Sequence, residues 1–151
     1  MIEIGITMRI KGKVAIITGA GSGFGEGIAT RFAAEGAKVV VADINGTAAN
    51  RVAAEIGDAA VAIKTDVTKM SDVEAMIALA ETQFGRLDIL INNAGYTSRN
   101  GPMMDVDEKT YDRMFDVNTK AIYLAARTGV PVLKKYGGGT IINVASIGAL
   151  R

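Results

Sequence analysis

The run Thr18-Gly19-Ala20-Gly21-Ser22-Gly23-Phe24-Gly25 has the composition of a loop that receives a phosphate. Glycine accepts positive φ and carries no Cβ to hold a ligand off the backbone. Before it, Val14-Ala15-Ile16-Ile17 is apolar and rich in β-branching, as in a buried strand; after it, Glu26 to Glu35 is amphipathic with helical spacing. In the order strand, glycine turn, helix, the first helical amides point outward unpartnered, and the helix dipole favours negative charge there. A strict G-x-G-x-x-G is absent: counted from Gly19, Gly21 or Gly23, the third glycine is missing each time. What stands is Thr-Gly-x-x-x-Gly-x-Gly, with Gly19, Gly23 and Gly25 as its glycines and Ser22 and Phe24 among them. A turn that only lets strand and helix pack closely is the alternative.

A second chemical signal follows at Asp43, with Ile44 beside it, where the apolar run Ala37 to Ala42 ends. This is about the spacing from the glycines at which a second-strand carboxylate meets the adenine ribose, accepting both hydroxyls and repelling a 2′-phosphate. Ala20, Gly21 and Ser22 supply no Lys or Arg to welcome such a phosphate, so NAD is favoured over NADP. The alternative is that Asp43 only caps the turn announced by Asn45-Gly46.

These residues need elements to position them. Thr47 to Ile56 reads as a helix, Ala59 to Thr65 as a third strand ending at Asp66, and Ser71-Asp72-Val73-Glu74 as a capping box opening a helix to about Phe84, stopped by Gly85. Leu87 to Ile91 reads as a fourth strand ending at Asn92-Asn93-Ala94-Gly95, followed by a polar loop, Tyr96 to Met104. One long helical pattern covers Asp107 to about Tyr136, with Pro131 as a kink or early end, and Thr140 to Ala145 is a fifth strand ending at Ser146. Alternating strands and helices imply right-handed crossovers: an α/β, doubly wound parallel sheet in three layers, α/β/α, incomplete at its C-terminal end. Such a sheet brings Thr18-Gly19, Asp43, Asp66, Asn92-Asn93 and Ser146 to one edge, the edge at which open α/β sheets bind ligands.

Composition narrows the chemistry. The 151 residues suit one domain; 49% are hydrophobic but only 5% aromatic, so Ala, Val and Ile must build the core. Seventeen basic residues against 16 acidic ones give +1, with no basic stripe for nucleic acid or an anionic membrane. Cys and His are both absent, which excludes disulfides, thiolate chemistry, Ser-His-Asp triads and His- or Cys-ligated zinc within this chain, and no metal site is expected. Any general acid or base must be Tyr, Lys, Asp or Glu. No apolar run is long enough to span a bilayer, and Met1 to Lys13 lacks a signal-peptide pattern, so a cytoplasmic protein is expected, with Met8 an alternative start.

The motifs resemble those of the classical short-chain dehydrogenase/reductase family, in order across residues 14 to 146. The glycine loop resembles the family's cofactor loop. Asp66-Val67 resembles its third-strand pair, where the acid bonds the adenine and the apolar residue packs against it. Asn92-Asn93-Ala94-Gly95 resembles its fourth-strand signature, with Asn93, Ala94 and Gly95 near the cofactor ribose. Asn118, in Phe115-Asp116-Val117-Asn118, resembles the long-helix asparagine that holds a water of the proton relay. Ile142-Asn143-Val144-Ala145-Ser146 resembles the strand that delivers the active-site serine. The resemblance thus implies Asn118 and Ser146 as catalytic residues, Ser146 donating a hydrogen bond to the substrate oxygen. Without it, Ser146 reads equally well as a loop cap and Asn118 as an exposed helical residue.

One departure stands out. The family's acid/base tyrosine, in Tyr-x-x-x-Lys, comes after the serine, and Lys lowers the phenol pKa and binds the nicotinamide ribose. This sequence ends at Arg151 without it, and Tyr111, Tyr123 and Tyr136 are followed four positions later by Phe115, Arg127 and Thr140. The expectation is therefore a single NAD-binding domain over 1–151 that forms the N-terminal portion of a longer single-domain enzyme. Its activity would be hydride transfer between NAD and a secondary alcohol or ketone. The branches most resembled are 3-oxoacyl-carrier-protein reductases and sugar or polyol dehydrogenases, and the alternative class is a non-catalytic dinucleotide-binding module or inactive fragment. Family members pair through the long helix, so a homo-oligomer, tetramer or dimer, is expected. Met114, Val117, Ala121, Leu124 and Ala125 on that helix serve either the core or such an interface, with core the default.

Overall fold

The computed structural model describes residues 8–98 and 101–146. The central strand β1 (Val14–Thr18) is buried along its whole length, because it is flanked by a strand on each side and covered on both faces. Five parallel strands take the order β3-β2-β1-β4-β5, with β2 at Lys38–Asp43, β3 at Ala60–Lys64, β4 at Ile89–Asn92 and β5 at Thr140–Asn143. Ile16 aligns with Val40 on one side and Leu90 on the other, which levels the strand ends along a single edge. The chain order reverses direction between β1 and β4, so that edge opens into a crevice there.

Alternation along the strands sorts the core into two layers. Val14, Ile16, Val40 and Leu90 pack with Val73, Met76 and Ile77 of α3 (Met70–Phe84) and Leu124, Ala125 and Leu133 of α5 (Ala121–Lys135). Ala15, Ile17, Val39, Val41 and Ile91 pack the other way, against Ala29 of α1 (Gly23–Ala34) and Ala49, Val52 and Ala53 of α2 (Gly46–Ile56). The small residues on this second face let α1 approach the sheet closely enough for its N-terminus to meet the end of β1. Val117, Ala121, Leu124 and Ala125 are buried in the core of this chain, and Met114 is half-buried.

Two local expectations are corrected. The capping box at Ser71 does not form: α3 begins at Met70 with Lys69 at its N-cap and no capping side chain. Asp72 is drawn instead to the loop after β3, its Oδ2 accepting from Asp66 N at 2.9 Å, while Ser71 Oγ donates to Asp72 Oδ1 at 3.3 Å. Pro131 does not end its helix, which continues to Lys135. Packing carries the helix past the missing N–H: a Cβ on Gly129 would stand 2.9 Å from Leu90 Cδ2, so this turn is seated directly on β4. The long pattern from Asp107 is α4 (Glu108–Phe115), a π-helical turn (Asp116–Lys120) and α5 in succession.

At the far edge, β5 pairs with β4 alone, and Ile142 and Val144 are exposed. Among the described residues no helix is long and apolar enough to cross a membrane. The expectations that fall on residues 1–7, 99–100 and 147–151 lie outside the described residues.

Candidate functional site

The site is built where β1 and β4 end. Thr18 Oγ1 accepts from the amides of Asn93 (3.0 Å) and Ala94 (3.1 Å) and donates to Ile91 O (3.3 Å), tying the two strand ends together. Asn93 answers from β4, its Nδ2 donating to Thr18 O at 2.9 Å and Gly19 O at 3.3 Å. Gly19 turns the chain at φ +64°, and a Cβ there would lie 2.9 Å from Ala94 Cα. A Cβ on Gly25 would overlap the Gly19 carbonyl oxygen. The glycine loop is thus a close-packed turn whose shape depends on missing side chains.

What the loop offers a ligand is the N-terminus of α1. Ser22 occupies the N-cap yet sends no side-chain hydrogen bond back to the first turn, whereas Asn45 and Asp107 cap α2 and α4 by accepting from Ala48 N and Thr110 N. The first-turn amides of a twelve-residue helix, uncapped beside a glycine turn, make an anion site.

Asp43 stands at the rim of this loop. Its Oδ2 accepts from Gly21 N and its Oδ1 from Asn45 N, each at 2.8 Å. It therefore does cap its own turn, and it also fixes the glycine loop; each oxygen keeps a lone pair for a further donor. Arg51, from α2, reaches the same loop, donating to Gly21 O at 3.1 Å and to Glu26 and Glu55. Its hydrogen bonds to Glu26 and Glu55 hold its pKa above the usual arginine value, so this cation arrives already neutralised by two carboxylates.

Two cavities open along the strand-end edge. The smaller, about 440 Å³, is lined by every expected cofactor residue except Gly23: Gly19, Ser22, Phe24, Gly25, Asp43, Ile44, Asp66, Val67, Asn93, Ala94 and Gly95. Gly23 forms the turn before Phe24 at φ +57° with open space around it. The larger, about 730 Å³, holds Asn118 and Ser146, the expected catalytic pair, with Asn143 and Val144 at the end of β5. Val67, Asn93, Ala94, Gly95, Tyr96 and Val117 line both, so the two chambers share a wall.

Asp66 Oδ1 accepts from Thr68 N (3.1 Å) and Thr68 Oγ1 (2.7 Å). Burial raises its pKa, but those bonds and the positive charges of Lys69 and Arg113 outweigh burial and leave it below the ordinary aspartate range. It is an anion at neutral pH. Asn118 sits in the π-helical turn, and its amide bonds Tyr96 from both sides, Nδ2 to the carbonyl and Oδ1 from the N–H. Phe24 is 87% exposed on the first turn of α1, an uncovered aromatic wall of the smaller cavity.

Sequence reasoning missed Thr65, Tyr96 and Arg113. Tyr96 lines both chambers, and the Arg113 guanidinium lies 5.2 Å from its ring centroid. Its signal was its place directly after Gly95. Arg113 is one helical turn before Val117 and shares its face, a spacing that could have found it. Thr65 is buried, and its Oγ1 finds no hydrogen-bond partner among the described residues. Tyr123 is exposed and takes a hydrogen bond from Arg127, Tyr136 donates to Glu81, and Tyr111 stacks on Phe115. None of these three lines either cavity.

Comparison with known proteins identifies the family of the chain. The family model described as short chain dehydrogenase matches residues 13–151. Galactitol 2-dehydrogenase of Agrobacterium fabrum is 43% identical over 140 residues, covering 92% of this chain and 54% of that protein. The 7α-hydroxysteroid dehydrogenase of Escherichia coli is 40% identical over 146 residues, covering 94% of this chain and 56% of that one. Among solved structures, 3-ketoacyl-(acyl-carrier-protein) reductase from Brucella melitensis complexed with NADH superposes with a TM-score of 0.89 at 47% identity, over 93% of this chain and 60% of that one. The chain spans little more than half the length of the curated relatives it matches.

Proposed function

This chain belongs to the short-chain dehydrogenase family, and from that premise we propose that the whole protein is an NAD(H)-dependent oxidoreductase interconverting a secondary alcohol and a ketone. The observation that carries the reading is the shared wall: the expected cofactor residues surround one chamber, the expected catalytic pair lies in the next, and residues 93 to 96 line both. The residues fit a dinucleotide. Its pyrophosphate suits the uncapped α1 N-terminus between Gly19 and Gly25, its adenosine ribose suits Asp43 and Ile44, and its adenine suits Asp66 and Val67. The carboxylate of Asp43 opposes a 2′-phosphate, which supports NAD over NADP.

A dinucleotide held by these residues would supply or accept the hydride at its nicotinamide. Ser146 donates a hydrogen bond to the substrate oxygen, stabilising the charge that develops as the carbonyl is reduced. Asn118 fixes the Tyr96 backbone at the chamber boundary and so sets the floor on which substrate and cofactor meet. The proton is assigned to a tyrosine–lysine pair of the whole protein, as the family's Tyr-x-x-x-Lys implies: of this chain's tyrosines only Tyr96 lines the chambers, and Asn100, not a lysine, follows it four positions on. We take this chain as one dinucleotide-binding domain, the N-terminal portion of such an enzyme, acting as a homo-oligomer. The relatives' names describe oxidation or reduction at a polyol, a steroid hydroxyl and a 3-ketoacyl group, all of them secondary carbinol–ketone couples.

The test is a titration of the full-length protein with NADH followed by cofactor fluorescence, then turnover on polyols, hydroxysteroids and 3-ketoacyl thioesters with NAD(H) and NADP(H). Saturable NADH binding with turnover of one class supports the proposal. Binding without turnover on any of them would move the protein to the non-catalytic, dinucleotide-binding class, and absence of binding would remove the reading altogether.

A further inference from the structure

Arg113 is a cation in the wall of the smaller cavity whose guanidinium makes no hydrogen bond among the described residues. Its guanidinium carbon lies over the ring of Tyr96, 5.2 Å from the centroid, and a cation–π contact of that kind uses none of the guanidinium's N–H donors. Tyr96 is itself held at both backbone groups by Asn118, at 2.9 and 2.7 Å, so the platform under the guanidinium is fixed. Asp66 lines the same cavity. Both hydrogen bonds from Thr68 go to its Oδ1, while the nearest cation to Oδ2, Lys69 Nζ, is 4.0 Å away. Oδ2 therefore keeps acceptor capacity. Ile44, Val67 and Val117 supply apolar surface around the two charges.

A partly apolar slot bearing one strong acceptor and one set of strong donors matches a heteroaromatic ring that carries an amino group next to a ring nitrogen. Adenine has that pattern: the 6-amino group donates, and a neighbouring ring nitrogen accepts. We propose that Arg113 is a specificity-determining residue of the dinucleotide site, donating to a ring nitrogen of the adenine whose amino group is taken by Asp66. The inference rests on the dinucleotide reading above and adds a residue to it. Arg113 reads the base, and the glycine loop carries the phosphates.

The experiment compares NADH with reduced nicotinamide mononucleotide, which has one phosphate and no adenosine, as ligands of the full-length protein, wild type, Arg113→Met and Arg113→Lys. Arg113→Met keeps length and stacking bulk without charge or donors, and its thermal midpoint reports folding. The expected result is that Arg113→Met weakens NADH about tenfold, the size of one charge-assisted hydrogen bond, and leaves the mononucleotide within about twofold. Arg113→Lys restores only part of the loss, because a point charge lacks the planar fork. A loss shared equally by both ligands, or full rescue by lysine, would assign Arg113 to general attraction of phosphate and overturn the proposal. Unchanged NADH affinity in Arg113→Met would overturn it too. A wild-type protein that binds neither ligand would instead sink the dinucleotide reading on which the inference stands.

Discussion

Asn118 grips Tyr96 by both of its backbone groups, donating from Nδ2 to the carbonyl at 2.7 Å and accepting at Oδ1 from the N–H at 2.9 Å. Asparagine is a poor residue for a helix interior because its amide competes for backbone partners. Here it finds those partners outside its own helix. The π-helical turn at Asp116–Lys120 inserts the extra residue that interrupts the regular spacing, a device often found at functional sites. The helix thereby gives up regular hydrogen bonding at one turn and uses it to hold the loop that follows β4.

Replacing Asn118 with Leu keeps side-chain volume and removes both bonds. The expected loss of stability is small, about 1 kcal/mol, since these are exposed hydrogen bonds whose backbone groups can turn to water. The expected loss of turnover is larger, because Tyr96 lines both chambers and its displacement loosens substrate and cofactor together. Chemical denaturation and steady-state kinetics of the same variant check this. A fall in stability with no change in kcat would contradict it.

The two glycines flanking Phe24 should respond unequally to an added methyl group. Gly25→Ala drives a Cβ into the Gly19 carbonyl, which cannot retreat because Gly19 is itself pressed against Ala94. Loss of soluble protein or of NADH binding is expected. Gly23→Ala meets nothing within 4 Å and suffers only from its φ of +57°, a penalty of about 1–2 kcal/mol. The Gly23 variant should fold and melt a few degrees lower. Thermal melts with NADH titration distinguish the two, and equal damage from both would show that loop shape does not depend on the Gly25 packing.

Much of this site was legible from residue order alone. The apolar runs at Val14, Val39, Ile89 and Ile141 are β-branched and punctuated by glycine or polar residues, so their parallel pairing with helices between them followed from the crossover rule, while their order on the sheet is read from the structure. Gly19, Gly25 and Asp43 were legible because local spacing dictates where a strand end must turn. Ser71 was misread because the competing partner of Asp72, the Asp66 amide, is brought there only by the folded loop. Pro131 does not give the early end that was one of its two readings, for the same kind of reason: tertiary packing of Gly129 on Leu90 outweighs a local breaker. Arg113 and Arg51 escaped notice because exposed arginines on helices are common, and what sets these two apart is the loop or ring each reaches across space.

Asp43 should control which dinucleotide is accepted. In Asp43→Ser the charge that opposes a 2′-phosphate is gone, and with it at least one of the bonds to Gly21 N and Asn45 N. NADH is expected to weaken about tenfold, from loss of a charge-assisted bond to the ribose and a looser loop, while NADPH gains relative to it. Dissociation constants for both cofactors in both proteins give the ratio directly. An unchanged ratio would return Asp43 to the role of a turn cap.

Acid sensitivity should reside largely at the opposite end of the sheet, in Asp88. This carboxylate is only 4% exposed and accepts from Val14 N (3.0 Å), Lys13 Nζ (3.1 Å) and Arg86 Nε and Nη2 (2.8 and 2.6 Å). Burial raises its pKa, but the bonds from Arg86, Val14 and Lys13 outweigh burial and hold it below the ordinary aspartate value of 3.8. A depressed folded-state pKa means that the stabilisation is fully present above the unfolded value and is lost as pH falls through the folded one. The contribution should therefore be flat from pH 7 to about 5, begin to fall near the unfolded value of about 4, and be gone only once the pH has passed below the depressed folded pKa. Asp88→Asn keeps an acceptor for Val14 N but loses both cations, and is expected to cost about 1–3 kcal/mol at pH 7. That cost should shrink in acid, where the wild-type carboxylate is itself neutral, so the two unfolding curves converge as pH drops. Urea titrations from pH 7 to 3 test this, and a difference that stays constant over the range would show that the strand ends are held by packing and not by this charge.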